Sequence, residues 1–270
     1  MLDLKGMRAI VTGASSGIGE QFARQLAARG ANLVITARRT DRLEKLAAEL
    51  REAHKIEVVV LPLDLGRTDA ATDLFERTEG AGKPVDILLN NAGFGTQDAF
   101  VDIPWERVRE QLQLNVVSLT ELTQRFLKPM LARGRGWVLN VASIGAYMPV
   151  PDYATYAAGK AYVRNFTEAL AHELRRTPVR VCCLSPGGTA TEFMAVAGQE
   201  LPAALKVTLM SADRCARIGL GALFGGRRNI IAGWMNSIGM WLLRFTPRRL
   251  MVRIAALIME KPRKPGTLPA

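Results

Sequence analysis

The sequence is poor in histidine, the side chain that much metal and nucleophile chemistry uses. It has two in 270 residues, His54 and His172, and both lie in charged stretches of helical pattern, ELREAHK and ALAHELRR. Neither has a partner at ligand spacing, so both are expected to be solvated. The sequence therefore argues against a histidine-dependent hydrolase triad and against a histidine-rich metal site, and no metal is predicted.

Cysteine is also scarce, and the first residues do not resemble an export signal. Cys182, Cys183 and Cys215 form an odd set, with two neighbours inside the apolar run RVCCLSP. They form no disulfide framework and indicate a reducing compartment. The opening residues, MLDLKGMRAIVTG, lack the basic and apolar regions of a secretory signal, so none is expected. The predicted location is the cytoplasm.

The last part of the chain has almost no acidic residues, and its apolar stretch is short. IIAGWMNSIGMWLL at 230–243 has 14 uncharged residues, whereas a helix that spans a bilayer needs about 20. From residue 227 onward, nine basic residues stand against one acid, Glu260, which contributes +8 of the net +11 and leaves +3 for residues 1–226. The nine are Arg227, Arg228, Arg244, Arg248, Arg249, Arg253, Lys261, Arg263 and Lys264.

Short apolar runs alternate with longer amphipathic stretches at intervals of ~25–45 residues, which is typical of repeated strand–helix–strand units. Their continuous β-branched character indicates strands that are covered on both faces, as in a parallel sheet. We therefore predict an α/β fold: one doubly wound domain over 1–226 with a parallel sheet of about seven strands, and a helical C-terminal extension over 227–270. The predicted strands are 8–12, 32–36, 57–63, 86–90, 136–142 and 179–184, with a weaker one at 229–233.

The first predicted strand runs into a glycine-rich turn, Thr12-Gly-Ala-Ser-Ser-Gly-Ile-Gly19, that opens a helix. Gly13, Gly17 and Gly19 permit a tight turn, close approach of the backbone to a diphosphate, and close packing of helix on strand. The N–H groups at the start of the helix are then available to phosphate. This position indicates the dinucleotide-binding turn of a Rossmann domain, and a merely flexible turn is the alternative.

After the second strand, where a site for NAD usually has an acid, this chain has Thr36-Ala-Arg-Arg39. A carboxylate would repel a 2′-phosphate, whereas a guanidinium forms bidentate, charge-assisted bonds with it. Arg38 is the first candidate and Arg39 the second contact, so the predicted cofactor is NADP(H). The alternative is that an arginine only begins the solvated face of the next helix, which is the expectation for Arg42 and stays open for Arg39.

A second candidate site lies in Tyr153-Ala-Thr-Tyr-Ala-Ala-Gly-Lys160. Residues four apart on a helix share a face and lie ~5–6 Å apart at Cβ, which is the spacing of Tyr156 and Lys160. Tyr153 is seven residues from Lys160 and too distant for contact. If either tyrosine has its acidity tuned by this lysine, it is Tyr156. The alternative is a helix with two half-buried aromatic residues and a solvated lysine.

Six elements in order along the chain resemble the short-chain dehydrogenases/reductases, over about residues 5–195. They are Gly13-x3-Gly17-x-Gly19, Asn90-Asn-Ala-Gly93, Asn115, Ser143, Tyr156-x3-Lys160 and Pro186-Gly-x3-Thr191. The resemblance implies an NADP(H)-dependent enzyme that interconverts a ketone or aldehyde and an alcohol by hydride transfer. The catalytic residues that it implies are Asn115, Ser143, Tyr156 and Lys160.

The family implies a role for each of these four side chains. Tyr156 is the general acid and base, and Lys160 lowers its pKa from a free value near ~10 and also grips the nicotinamide ribose. Ser143 hydrogen-bonds the substrate oxygen, and Asn115, inside a long helix, holds a water that links Lys160 to solvent. The implied cofactor contacts are Gly13, Ser15, Ser16, Gly17, Ile18, Gly19, Arg38, Arg39, Asp64, Leu65, Asn91, Ala92, Gly93, Tyr156, Lys160, Pro186, Gly187, Thr189 and Thr191.

After Thr191 the family diverges, and the region of about 189–215 normally forms the substrate lid. Here it contains EFMAVAGQELPAALKVTLMS, whose apolar character favours an apolar or lipid-like carbonyl substrate over a sugar or polyol; the alternative is that these residues only pack on the body. A function of another class is a catalytically silent NADP-binding sensor or membrane-associated scaffold. The resemblance also implies a homodimer or homotetramer through helices around 104–131 and 153–176.

The tail predicts an amphipathic helix with arginines beside its apolar face. A basic amphipathic segment with Trp234 and Trp241 is able to lie in a membrane interface, which makes peripheral membrane contact one option. The other options are a subunit interface or a lid helix, with arginines reaching to water. No recognition motif accompanies the charge, so no nucleic-acid partner is predicted. The apolar residues of that face are Leu250, Ile254, Leu257 and Ile258.

Overall fold

The computed structural model describes residues 2–198 and 209–259, and a parallel sheet lies at its centre. The strands are β1 (Arg8–Thr12), β2 (Asn32–Thr36), β3 (Val58–Val60), β4 (Ile87–Asn90), β5 (Trp137–Val141), β6 (Arg180–Ser185), β7 (Thr189–Ala190), β8 (Met210–Ser211) and β9 (Asn229–Ile231). Seven of them form the sheet in the order β3-β2-β1-β4-β5-β6-β9, and β7 pairs with β8 as a separate parallel pair. The predicted α/β fold with a sheet of seven parallel strands is confirmed.

Helices cover both faces of the sheet and continue into the tail. They are α1 (Gly17–Ala27), α2 (Thr40–His54), α3 (Ala70–Glu76), α4 (Trp105–Leu112), α5 (Leu119–Ala132), α6 (Ala154–Glu173), α7 (Phe193–Ala197), α8 (Ala212–Phe224), α9 (Trp234–Leu243) and α10 (Arg248–Met259). Part of the predicted lid, 199–208, and the tail cations Lys261, Arg263 and Lys264 lie outside the described residues.

Alternate residues of the central strands enter two separate cores. In β1, Val11 packs with α1, α2 and α8 on one face, and Ile10 packs with α3, α5 and α6 on the other. In β4, Leu89 lies in the same core as Val11, and Leu88 lies in the same core as Ile10. A strand that is buried on both faces needs apolar residues at every position, which is why these strands are continuous apolar runs in the sequence.

The strand order changes direction between β1 and β4, which places the loops after these two strands side by side. In open α/β sheets, ligands bind at the carboxyl ends of the strands where the order reverses. The turn after β1, the Asn91–Gly93 segment after β4 and the Ser143 segment after β5 all lie at this edge. The fold therefore brings the sequence motifs to one end of the sheet.

The helix expected over 104–131 is interrupted. A π-helical turn at Gln113–Ser118 separates α4 from α5. Such wide turns are rare and occur mostly as single insertions, often at functional sites. Here the turn includes Asn115, which is 1 % exposed and directs its amide to the backbone of Phe94. Asn115 therefore lies in a local widening of the helix and not inside a regular one as predicted.

The cysteines are buried and the histidines are at the surface, as the sequence predicts. Cys182, Cys183 and Cys215 are buried free thiols, and burial raises the pKa of each to about 12. His54 and His172 are exposed at the surface. None of the helices in the described ranges has the length and hydropathy to cross a membrane.

Candidate active site

The glycine-rich turn after β1 has a backbone that other residues would strain. Gly13 and Gly17 have φ angles of 67° and 59°, in the left-handed region. A Cβ atom on Gly19 would lie 2.2 Å from the carbonyl oxygen of Gly13, and one on Gly17 would lie 3.0 Å from Cγ2 of Thr191. The Ser16 hydroxyl does not cap α1, so this helix start offers its N–H groups to an anion. The residues of the turn therefore fit a bound diphosphate.

A small network joins this turn to the loop after β4. The Thr12 hydroxyl accepts hydrogen bonds from the backbone N–H groups of Asn91 and Ala92, both at 2.9 Å. The Asn91 amide donates to the carbonyl oxygen of Thr12 at 2.9 Å. The predicted cofactor residues Asn91 and Ala92 are thus held against the turn by Thr12, which sequence reasoning treated only as the start of the motif.

The two arginines after β2 lie in different environments. Arg39 donates to the hydroxyl groups of Ser15, at 3.1 and 3.2 Å, and Ser16, at 2.7 Å, which tie the end of β2 to the glycine-rich turn. Arg38 has an exposed side chain. Arg42, expected on a solvated helix face, forms an ion pair with Glu192 at 2.7 Å. Arg39, predicted as the second phosphate contact, is therefore the arginine that the structure places directly on the turn.

Ser143 and Tyr156 meet at the end of β5. Ser143 begins a short 3₁₀ turn, and its Oγ accepts a hydrogen bond from the Gly145 N–H at 3.1 Å. Burial raises the pKa of Tyr156 to about 12, and the hydrogen bond with Ser143 opposes that rise. The hydroxyl groups of Ser143 and Tyr156 are therefore near enough for one to affect the pKa of the other.

Lys160 is buried beside this pair, at 4 % exposure. Its Nζ donates to the carbonyl oxygen of Val141 at 2.8 Å and lies 5.8 Å from the ring centroid of Tyr156. Burial lowers the pKa of Lys160 to about 8. The ammonium group therefore lies near Tyr156 but is hydrogen-bonded to β5, and its predicted effect on the pKa of Tyr156 stays a prediction.

Asn115 and Gly93 complete this side of the site. The Asn115 amide donates to the Phe94 carbonyl oxygen at 2.8 Å and accepts from the Phe94 N–H at 3.1 Å. A Cβ atom on Gly93 would lie 2.8 Å from Oδ1 of Asn115 and 3.4 Å from Nζ of Lys160. A residue with a side chain would have to displace the Asn115 oxygen, whereas the lysine is at contact distance. Gly93 therefore brings the backbone of the β4 loop next to Asn115 and Lys160.

The open side of Tyr156 is lined by apolar side chains. The rings of Tyr153 and Phe193 lie 5.7 and 5.5 Å from the Tyr156 ring, measured between centroids. Met259, from the end of α10, packs against the same cluster. A segment of the tail thus forms part of the wall beside the candidate catalytic tyrosine, together with Met148, Val150, Ala157 and Ala197.

The loop after β6 contacts the turn that begins at Ser143. The carbonyl oxygen of Pro186 accepts from the N–H of Ile144 at 2.9 Å, which joins this loop to the Ser143 turn. A Cβ atom on Gly187 would lie 2.3 Å from Nδ2 of Asn236 in α9. β7 then pairs with β8. This pairing places residues 189–190 and 210–211, near the two ends of the predicted lid, side by side.

The remaining predicted cofactor contacts lie after β3. Asp64 has an exposed side chain whose Oδ1 accepts from the Gly66 N–H at 3.0 Å. Leu65 is buried, and its carbonyl oxygen accepts from the Ser118 hydroxyl at 2.6 Å. These residues border the same edge of the sheet as the glycine-rich turn.

Several residues of the site escaped sequence reasoning, for different reasons. Thr12 is detectable because it directly precedes the turn, whereas Val141 and Phe94 act through backbone atoms that carry no sequence signal. Glu192 directly follows Thr191, the last residue of a motif, but its ion-pair partner Arg39 is 153 residues away in the sequence. The residues missed are Thr12, Phe94, Val141, Glu192, Phe193 and Met259.

The description "short chain dehydrogenase" is that of a family model that matches residues 7–201. The chain belongs to the short chain dehydrogenase family. Membership makes it an NAD(P)-dependent oxidoreductase of the kind that acts on CH–OH and C=O groups. In the described part of the chain, no group of three or more His, Cys, Asp or Glu side chains is placed to hold a metal ion.

Three proteins illustrate what this chain is similar to. A 7beta-hydroxysteroid dehydrogenase of Collinsella aerofaciens is 30% identical over 231 residues, which cover 84% of this chain and 86% of the relative. A short-chain dehydrogenase from Sphingobium yanoikuyae, solved in complex with NADPH, has a TM-score of 0.81, 28% identity and coverage of 96% of this chain and 99% of its own. A putative NAD(P) dependent gluconate 5-dehydrogenase from Beutenbergia cavernae, solved with NADP, has a TM-score of 0.77, 28% identity and coverage of 86% and 98%.

Proposed function

We propose that the protein is an NADP(H)-dependent oxidoreductase that interconverts an apolar or lipid-like ketone or aldehyde and the corresponding alcohol. The observation that carries the proposal is the meeting of Ser143, Tyr156 and Lys160 at the edge of the sheet that also presents the glycine-rich turn. A carbonyl group beside these residues would lie next to a site that fits a dinucleotide. When bound, the nicotinamide supplies or accepts the hydride.

The side chains divide the remaining chemistry among themselves. Ser143 donates to the substrate oxygen and positions it, while Tyr156 gives that oxygen its proton in reduction and takes it back in oxidation. A phenol with a raised pKa is protonated at neutral pH, which is the form that reduction needs. Lys160 places a positive charge near the alkoxide that develops, and Asn115 fixes the β4 loop beside the lysine.

Arg38 and Arg39 support NADP(H) over NAD(H). Residue 37 is alanine, so no carboxylate repels a 2′-phosphate at this position. The Arg39 guanidinium donates hydrogen bonds to the Ser15 and Ser16 hydroxyl groups, and the neighbouring Arg38 is exposed. Two guanidinium groups at the end of β2 suit a phosphate ester better than a bare ribose hydroxyl. Two similar proteins were solved with NADPH and NADP and another with NAD, so the preference for NADP(H) rests on these arginines.

The substrate class rests on the wall beside Tyr156. Phe193 and Met259 are partly buried and offer apolar surface, and the buried Tyr153 packs in the same cluster. A steroid is the substrate that the name of one relative states, whereas the name of a similar structure states gluconate. A polyhydroxylated substrate would leave its hydroxyl groups without partners against such a wall, at a cost for each unmade hydrogen bond. The apolar wall therefore favours the lipid-like substrate.

The test is NADPH consumption with a panel of aldehydes and ketones of increasing chain length, including a steroid ketone and 5-ketogluconate. We expect kcat/KM to rise with apolar length and to stay lowest for the sugar acid. Tyr156→Phe serves as the inactive control. A best substrate that is short and polar would contradict the assigned class, and absence of turnover with every member would favour the silent NADP-binding sensor or scaffold.

A second proposal concerns the tail: residues 1–226 together with β9 form the catalytic body, and the helices that follow β9 attach it peripherally to an anionic membrane surface. α9 has no buried residue, and its exposed side chains include Trp234 and Trp241, at 68% and 56%. On α10, Leu257 is 89% exposed. Four arginines accompany this apolar surface, and none of the ion pairs formed by the described residues uses them: Arg244, Arg248, Arg249 and Arg253.

Self-association is the third part of the proposal. Exposed apolar side chains also lie on α4 to α6, where Trp105 is 62% and Tyr162 is 42% exposed. These are the helices through which the family resemblance implies dimers or tetramers. We therefore expect a homodimer or homotetramer in which α4, α5 and α6 meet their counterparts, with the tail on a separate surface. The location that fits all three parts is the cytoplasm, at a membrane surface.

A further inference from the structure

Glu192 joins the start of the predicted lid to the predicted phosphate site. Its two carboxylate oxygens accept from Arg39 Nη1 and Arg42 Nη1, both at 2.7 Å. Arg39 at the same time donates through Nε and Nη2 to Ser15 and Ser16. One carboxylate thus occupies two guanidinium groups, and that of Arg39 contacts the glycine-rich turn.

The neighbouring residue holds this segment close to the turn. Cγ2 of Thr191 lies 3.0 Å from the position of a Cβ atom on Gly17. Thr191 Oγ1 also accepts from the N–H of Phe193 at 3.3 Å, at the first residue of α7. Together with the ion pairs of Glu192, these contacts of Thr191 hold the beginning of α7 against the glycine-rich turn.

The Glu192 carboxylate binds the same arginine donors that an anionic ligand would bind. Two ion-pair hydrogen bonds lower the pKa of Glu192 to about 2, so it is ionised at neutral pH. A phosphate on the ribose 2′-oxygen carries about −1.5 to −2 charge units and seeks the same guanidinium donors. An arginine has five N–H donors, and Arg39 already makes four hydrogen bonds, to Ser15, Ser16 and Glu192. Carboxylate and phosphate therefore compete for Arg39.

We propose that Glu192 is a specificity-determining residue, an internal competitor that the 2′-phosphate of the cofactor must displace from Arg39 and Arg42. The proposal rests on the proposed use of NADP(H). Displacement frees residues 191–197 from the turn, so the lid segment is released when the phosphorylated dinucleotide arrives. NAD(H), which lacks the 2′-phosphate, leaves the ion pairs in place.

The test uses two probes that carry only the adenosine half of the cofactor, adenosine 2′,5′-bisphosphate and 5′-AMP, titrated calorimetrically into the full chain. Glu192→Gln keeps the shape and removes the charge. Glu52→Gln, on the exposed far part of α2, is the matched control. We expect Glu192→Gln to bind the bisphosphate about tenfold more tightly, in the range of one charge-assisted contact, and to bind 5′-AMP within about twofold of wild type.

Each other result has a distinct meaning. Equal or weaker binding of the bisphosphate by Glu192→Gln overturns the proposal and makes Glu192 a support for Arg39. A gain of equal size for both nucleotides also overturns it, because the effect would not depend on the 2′-phosphate. Failure of wild type to bind the bisphosphate would sink the NADP(H) assignment itself.

Hydrogen exchange on the wild-type protein provides a measurement that needs no variant. We expect the amides of 193–197 to exchange faster with saturating adenosine 2′,5′-bisphosphate and at an unchanged rate with 5′-AMP. Unchanged or slower exchange with the bisphosphate would contradict release of the segment.

Discussion

Two tyrosines share one apolar cluster, and the Ser143 hydroxyl lowers the pKa of Tyr156 against the effect of burial. Tyr153 is 3 % exposed, and burial raises the pKa of its phenol as well. Packing alone therefore does not distinguish them. What distinguishes Tyr156 is its hydroxyl group, which lies where a carbonyl oxygen held by Ser143 would need a proton.

We predict that Tyr156→Phe lowers kcat by a factor of at least about 10²–10⁴, the range of lost general acid–base catalysis. Phenylalanine keeps the ring contacts with Tyr153 and Phe193, so NADPH binding should stay within a few-fold. Steady-state kinetics and a fluorescence titration of NADPH measure the two effects. Tyr153→Phe, the matched control, should remain active; the reverse pattern would assign the proton transfer to Tyr153.

We predict that Arg38→Asp reverses the cofactor preference. A carboxylate at the end of β2 repels the 2′-phosphate and accepts from a ribose hydroxyl, and one charge-assisted contact is worth about 10–150-fold in affinity. The ratio of kcat/KM for NADPH to that for NADH measures the change. Lys45→Asp, which carries the same charge change on α2, should leave the ratio near that of wild type. Equal use of both cofactors by the wild-type protein would refute the assignment.

We predict a pH-dependent stability contribution from Lys160. Its pKa is about 8 in the folded protein and 10.5 when free, so the unfolded chain binds more protons between these values. Stability rises with pH wherever the unfolded state binds more protons. Relative to Lys160→Met, the wild-type protein should therefore gain stability between about pH 8 and 10.5 and show a constant difference below pH 8. Urea unfolding of both proteins at pH 7 and pH 10 measures this, and an unchanged difference would contradict it.

At the residue scale, spacing predicts which residues share a face but not where their atoms point. Four-residue spacing brought Lys160 to Tyr156, yet the ammonium group turns to a carbonyl of β5, which no spacing rule encodes. The arginine pair after β2 was visible as a charge pattern. Its link to Glu192 was not, because an ion pair between segments that meet only in the folded chain leaves no local signal.

At the element scale, glycine positions test how closely helices approach the sheet. We predict that Gly19→Ala costs about 1–3 kcal/mol in unfolding free energy, as overpacking does, because its Cβ atom would collide with the backbone oxygen of Gly13. Nucleotide binding should be lost with it. Gly221→Ala in α8, where a Cβ atom meets nothing within 4 Å, should instead stabilise the protein by about 0.5–1 kcal/mol. Urea unfolding compares the two, and equal effects would refute the packing argument.

Elements with strong periodic or continuous patterns could be predicted from the sequence, and subtler ones could not. All seven sheet strands lie where apolar runs predict them, although β3 ends at Val60, two residues before Pro62, which cannot donate to a strand ladder. The π-helical turn at Gln113–Ser118 escaped prediction, since one inserted residue barely changes a helical pattern. The short β7–β8 pair depends on a tertiary contact and has no pattern of its own.

At the scale of the whole molecule, the tail has two different faces. Met251 and Ala255 of α10 are buried, and Met259 reaches the wall beside Tyr156. The opposite side exposes Leu250, Ile254, Leu257 and Ile258, with Trp241 and Phe245 of the preceding segment. Exposed apolar side chains that cluster on a surface are typical of interaction sites. The tail therefore packs on the body through one face, and its other face is the surface that we propose for the membrane.

We predict that the protein co-sediments with anionic vesicles at low salt, less so at high salt, and least with neutral vesicles. Each arginine near an anionic surface adds about 1 kcal/mol, and salt screens this term. Leu257→Asp and Trp241→Asp should each weaken binding. Val101→Asp, an equally exposed apolar position outside the tail, should not. Protein that stays in the supernatant with both lipids at low salt would leave the tail as a lid or a subunit interface.

The last strand of the sheet comes late in the chain, and this limits where the protein can be shortened. β9 pairs with β6 through residues 229–231, beyond the compositional boundary at 226. A chain that stops at 226 would leave β6 as a bare edge with unpaired N–H and C=O groups, which invites strand addition from other copies. Insoluble material from such a truncation would report a broken sheet and say nothing about lipid. A tail deletion that keeps the protein soluble has to begin after Gly233.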